Sequence, residues 1–232
     1  MTSLTARAVG VIRSPRATLA AVAATPRWLD VLVLTTIIGF LANAALFQTE
    51  VGKLALLDQW ERTAIAFNGS IGPEQYAELQ AMTEQGAIYA LITALASGPL
   101  LVFGLSAVLI AVLRGLLHAQ ATFTQVLAIV SHAGVVLALR QAVAAPMAYA
   151  SESLASPTSL VRFAGVIDES SPLARFLGVI DLFVVWWIVA LAVGIAALAH
   201  RRVRPVALAF TGAYVVLAVL LAITMALTGG VA

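Results

Sequence analysis

Three side chains in this sequence fall inside strongly apolar stretches and carry chemistry: His132 and Arg140 in the stretch 123–149, and Asp181 in the stretch 176–199. Charge within a bilayer is costly, so such groups face protein or water and seek partners. At 1.5 Å per helical residue, Arg140 lies roughly 14 Å and Asp181 roughly 9 Å below the outer ends of their stretches. An arginine side chain bridges a depth difference of that size. One reading is an Arg–Asp ion pair, in which each charge lowers the solvation penalty of the other. A second is coordination of lipid headgroups by an outward-reaching Arg140. A third is a polar groove lined by Arg140, Asp181 and His132 that passes protons, lipids or small molecules. His132 taken alone reads as a core histidine bonded to a neighbour.

The signatures of catalysis are missing from the sequence. There is no H-E-x-x-H, no G-x-S-x-G elbow, no phosphate loop and no dinucleotide fingerprint. Ser131 and His132 are adjacent, and on a helix adjacent side chains diverge by about 100° rather than forming a relay. No cysteine is present, so disulfides and thiolate chemistry are excluded. The expectation is a protein that is not an enzyme, with no catalytic residue, metal site or cofactor. Trp186 and Trp187 lie about eleven residues into their stretch, too deep for an interfacial belt, and read as packing anchors.

These groups must be positioned by an apolar scaffold. The chain is 62% hydrophobic and 10% charged, against about 25% charged in soluble domains. The expected class is all-α: a polytopic membrane protein, a five-transmembrane-helix bundle forming a single membrane domain over 1–232. Spans are expected at about 29–47, 87–113, 123–149, 176–199 and 205–227, each long enough for a hydrocarbon core of roughly 30 Å. Ala42-Asn43-Ala44 resembles a signal cleavage site, but the segment ahead of it is too long for a signal peptide, so 29–47 reads as a span. Residues 1–28 hold Arg7, Arg13, Arg16 and Arg27 and no acid. With Ser14-Pro15 as a helix restart, they read as an interfacial segment whose basic residues face lipid. The stretch 48–86 reads as an extracytoplasmic helical hairpin, stopped at Asn68-Gly69 and reopened at Pro73-Glu74. Its Trp60 and Phe67 lie on one face, which packs on the bundle, lies on the outer leaflet or meets a partner.

Eight inner arginines (Arg7, Arg13, Arg16, Arg27, Arg114, Arg201, Arg202, Arg204) face four outer bases (Lys53, Arg62, Arg162, Arg175). That bias places the N-terminus in the cytoplasm and the C-terminus outside. The bases are few and sit at span ends, so the pI of about 9.4 reflects topology and not nucleic-acid binding.

Three local features resemble the Yip-domain family, the Ypt/Rab-interacting membrane proteins, in its bacterial branch. They are Arg13-Ser14-Pro15-Arg16-Ala17-Thr18 followed by Pro26, the entry Phe123-Thr124-Gln125-Val126-Leu127, and Ile180-Asp181-Leu182-Phe183 with Trp186 and Gly194. The resemblance implies a five-helix membrane bundle without established catalysis. Eukaryotic members bind small GTPases through cytoplasmic N-terminal regions, and bacterial relatives accompany macrolide-exporter-type ABC transporters. It therefore implies an accessory subunit in the bacterial cytoplasmic (inner) membrane, with membrane lipids and ABC-type exporter subunits, or further copies of itself, as partners. Lipid or small-molecule transport through the polar groove is the alternative. The charge bias makes one direct prediction. A topology reporter fused after Ala232 is expected to be active only outside the cytoplasm, and one inserted within 114–122 only inside; the reverse pattern would overturn the five-span reading.

Overall fold

Hydrocarbon offers no partner for a backbone amide, so a chain this apolar has to satisfy its backbone within helices. The computed structural model describes residues 3–68, 70–164 and 171–228. Its helices in the N-terminal half are α1 (Leu4–Arg13), α2 (Pro15–Ala24), α3 (Leu29–Phe47), α4 (Glu50–Asn68), α5 (Pro73–Ala81) and α6 (Thr83–Gly115). Then come α7 (Phe123–Ala133), α8 (Val135–Ser151), α9 (Pro172–Val179), α10 (Leu182–Leu198) and α11 (Val203–Thr228). Among the described residues the one β contact is an isolated antiparallel bridge between Ser159 and Asp181.

Among the described residues, four stretches are long and apolar enough to cross a membrane: Leu29–Phe47, Thr83–Gly115, Phe123–Ser151 and Val203–Met225. The shorter apolar helix Leu182–Leu198 is a fifth candidate. Pro99 lies inside α6, and the helix runs on through it. The stretch 176–199, expected as one span, is two helices, because the chain leaves helical geometry at Ile180 and Asp181. The expected border between hairpin and second span at 86/87 falls inside α6, which starts at Thr83.

The chain divides into two compact units. The first comprises Met1–Gly39, Leu95–Arg140 and Phe183–Ala213. Its centre is α7, buried at eight consecutive positions from Val126 to Ala133. A helix buried all round is the middle of a core. Helices α1 and α2 pack on each other and on α7. The apolar stripe of α1 is therefore divided: Val11 is fully buried, whereas Ile12 is 38% exposed. Pro15 opens α2, where its missing N–H leaves nothing unpaired. Thr122 caps α7 by accepting from the Gln125 amide, and Gln125 Oε1 accepts from the Thr122 amide. The Gln125 side-chain Nε2 donates to Ala23 O at 3.1 Å, tying the end of α2 to the start of α7. On α10, Gly194 faces Ile129 so closely that a Cβ there would lie 2.4 Å from Ile129 Cγ2.

The second unit comprises Phe40–Ala94, Gln141–Leu182 and Tyr214–Ala232. Helices α4 and α5 are in contact. Trp60 packs against a cluster of Phe47, Leu56 and Ala87, and its ring lies over Gly86, where a Cβ would come within 2.0 Å of it. Lys53 joins α4 to the start of α6 by pairing with Glu84 as well as Glu50. The hydrogen bond to Glu84 holds the Lys53 ammonium above its ordinary pKa.

The contact at Gly194 generates a prediction. Gly194→Ala gains up to about 1 kcal/mol of helix propensity but overpacks Ile129, a cost of about 1–3 kcal/mol. Ile129→Ala removes the clashing methyl, so Gly194→Ala is expected to lower the thermal midpoint in detergent in the parent and much less in the Ile129→Ala background. Equal losses in both backgrounds would show that the two positions do not touch.

Candidate functional site

The centre of the second unit's polar chemistry is the gap between α9 and α10. Breaking a helix frees backbone groups that apolar surroundings will not satisfy. Here they are taken up by two other segments. Tyr214 of α11 donates its hydroxyl to Val179 O at 2.8 Å and accepts from the Asp181 amide at 3.2 Å. The Leu160 amide donates to Ile180 O at 2.8 Å, and the Leu182 amide donates to Thr158 O at 3.1 Å. A turn at 157–158 thus sets Ser159 beside Asp181 in a single antiparallel bridge, directly before a 3-10 turn at Leu160–Phe163.

The Asp181 carboxylate is held by the same segment. It is 4% exposed and accepts from Ser156 Oγ at 2.8 Å and Thr158 Oγ1 at 2.6 Å, both on Oδ2. Two hydroxyl donors replace part of the water that a buried carboxylate loses. Asp181, expected within one continuous span, thus lies where the helix is broken. It stands at the entry to α10 and fastens a loop.

The first unit has its own polar centre. Arg7, grouped by sequence with the lipid-facing basic residues, is buried and forms an ion pair with Asp30 in the first turn of α3. The other three members, Arg13, Arg16 and Arg27, are exposed. His132 is fully buried on α7 within electrostatic reach of Arg7 and Asp30. Its Nδ1 is 2.8 Å from Ala128 O. A carbonyl only accepts, so Nδ1 carries the proton and, in the neutral ring, Nε2 holds the lone pair. Nε2 has no hydrogen-bond partner among the described residues. Ser131 Oγ bonds back to Leu127 O in the same way, and the helix pauses at Gly134 directly afterwards. Arg140 stands half-buried on α8 in the first unit, whereas Asp181 belongs to the second.

Of the remaining candidates, Trp60 is half-buried against its own unit, and the side chain of Phe67 lies outside the described residues. Trp186 packs near Phe183 with ring centroids 6.0 Å apart, and the Trp187 indole N–H is buried with no hydrogen-bond partner among the described residues. Among the described residues no group of three His, Asp or Glu side chains is placed to hold a metal ion. Asp30, Gln125 and Tyr214 escape a reading by composition. The signals that were present are the capping spacing Thr122-x-x-Gln125 and an acid in the first turn of a span.

A family model described as the Yip1 domain matches residues 9–227. The chain belongs to the Yip1 domain family, which bears out the resemblance read from its sequence. Searches of curated proteins and of solved structures gave no match. The family and the apolar helices together define a multi-pass membrane protein.

The gap between α9 and α10 makes Tyr214 a critical hydroxyl. Tyr214→Phe keeps the ring but strands Val179 O and the Asp181 amide, at about 1–3 kcal/mol for each buried group left unmade. A clear drop in thermal midpoint in detergent is expected, together with faster proteolysis within 152–164. An unchanged midpoint and cleavage pattern would show that the hydroxyl holds nothing.

Proposed function

We propose that this protein is a non-catalytic accessory or scaffold subunit of a membrane complex such as an ABC-type exporter. It would reside in the bacterial cytoplasmic membrane with its N-terminus inside and its C-terminus outside. The observation that carries this reading is the use made of Asp181. An embedded carboxylate is the group most suggestive of a transport path. Here its contacts with Ser156 and Thr158 fasten one part of the chain to another. Arg7 is used in the same way on Asp30. Family membership supports the reading, since the resemblance carries no established catalysis.

A subunit also needs surface for its neighbours. Helix α11 has Leu208, Val216, Leu217 and Leu220 all more than half exposed. That apolar face suits lipid or the transmembrane helices of a partner. Purification of the tagged protein in mild detergent, followed by mass spectrometry, tests the proposal. Stoichiometric transporter components are expected. A protein recovered alone with bound lipid would overturn the accessory role and favour lipid transport.

A further inference from the structure

The turn between α6 and α7 is fastened at both ends. The Leu117 amide donates to Val112 O and the Ala119 amide to Leu113 O, closing α6. Arg114 Nε donates to Ala121 O at 2.9 Å, drawing the far side of the turn back to the helix. Arg114, His118, Gln120 and Thr122 line a shallow concavity of about 450 Å³ there, and the lining holds no carboxylate. Among the described residues the Arg114 side chain bonds to the neutral Ala121 carbonyl and to no acid, and the sequence has no acid at all from Gln85 to Ser151. Its positive charge is therefore uncompensated, and a guanidinium with one N–H engaged keeps four donors. His118 stands at φ 49°, in the left-handed region that a helix C-terminus usually gives to glycine. A side chain kept against that backbone preference points to a use for it, and His118 is on the wall of the concavity.

We propose that this concavity holds the phosphate of a phospholipid headgroup. One guanidinium balances one phosphodiester, and its planar fork matches two phosphate oxygens. His118 and Gln120 supply further donors, whereas the Thr122 hydroxyl is already engaged by Gln125 and serves as wall. The level is suited to a lipid. The turn joins α6 to the stretch Phe123–Ser151, both long and apolar enough to cross a membrane, so residues 114–122 stand at a membrane face, where lipid phosphates lie. The same turn exposes Leu116 by 75%, with Leu117 and Phe123 also exposed beside it. A soluble anion has no use for apolar side chains next to a guanidinium. A phospholipid presents phosphate and hydrocarbon together, and Leu116 is placed to meet the second. The site does not depend on which complex the chain serves.

Native mass spectrometry of the detergent-purified full chain tests this, with phosphatidylglycerol, diacylglycerol and inorganic phosphate as probes. Diacylglycerol has the acyl chains without the phosphate, and inorganic phosphate the reverse. Phosphatidylglycerol is expected to bind, diacylglycerol to bind far more weakly, and inorganic phosphate not to displace the lipid. Arg114→Gln should weaken phosphatidylglycerol about tenfold, the loss of one charge-assisted contact. His118→Gly relaxes the left-handed position, so it should raise the thermal midpoint while weakening the lipid about threefold. That opposition of sign separates a ligand-holding histidine from a merely structural one, and it stands even if Arg114→Gln fails to fold. The double variant Arg201→Gln/Arg202→Gln, at two exposed arginines outside the site, is the control for diffuse charge and should change binding less than about twofold. A control as damaging as Arg114→Gln, a His118→Gly variant that binds phosphatidylglycerol as the parent does, diacylglycerol bound as well as phosphatidylglycerol, or displacement of the lipid by inorganic phosphate would each overturn the proposal.

Discussion

A peptide group in a membrane has only the chain itself to turn to, and the gap between α9 and α10 shows how far that constraint reaches. Two residues out of helical geometry free Val179 O, Ile180 O and the amides of Asp181 and Leu182, and each is claimed by a group distant in sequence. Those partners come from a loop and from α11. Neither has a strong reason of its own to adopt the geometry seen. The loop is anchored by the gap, and the gap is tolerated because the loop and Tyr214 fill it. Cooperative pairing of this kind makes partial loss disproportionate, since each bond fixes the donor or acceptor of the next.

Much of the fold was legible because its causes are local. The starts at Pro15 and Pro73, the stop at Asn68 and the apolar runs are all written within a few residues of the features they produce. The gap at Ile180-Asp181 was not legible. Gly178 just ahead of it is a weak signal in a membrane helix, where glycine is common, and an apolar run interrupted only by Asp181 reads as one helix by periodicity. Its cause lies twenty residues upstream and more than thirty downstream. Tyr214 went unremarked because a tyrosine in an apolar helix looks like packing until its hydroxyl is seen to work. Arg7 read as a lipid-facing base because its partner, Asp30, sits at the edge of a span and draws no notice in a composition.

Three of the residues that carried the family resemblance are found at close contacts. Gln125 caps α7 and holds the end of α2. Asp181 fastens the loop that carries Ser156 and Thr158. Gly194 admits Ile129 against α10. Each explains a residue type by a contact inside the chain, with no need for a substrate. That is what a member of a family defined by its membrane architecture would be expected to carry.

The dependence of α1 and α2 on α7 has a consequence for biogenesis. These helices leave the ribosome before α7, and the amide side chain that clasps Ala23 is 102 residues further along. At roughly 5–20 residues per second, synthesis reaches it some 5–20 s later. Through that interval the N-terminal helices have no core to join, and their apolar stripes must rest on the membrane surface or a chaperone. The segment thus passes through a peripheral state before it becomes part of the bundle. Its four arginines and lack of acids suit that waiting period, and only Arg7 gives up its exposure when Asp30 and α7 come into place.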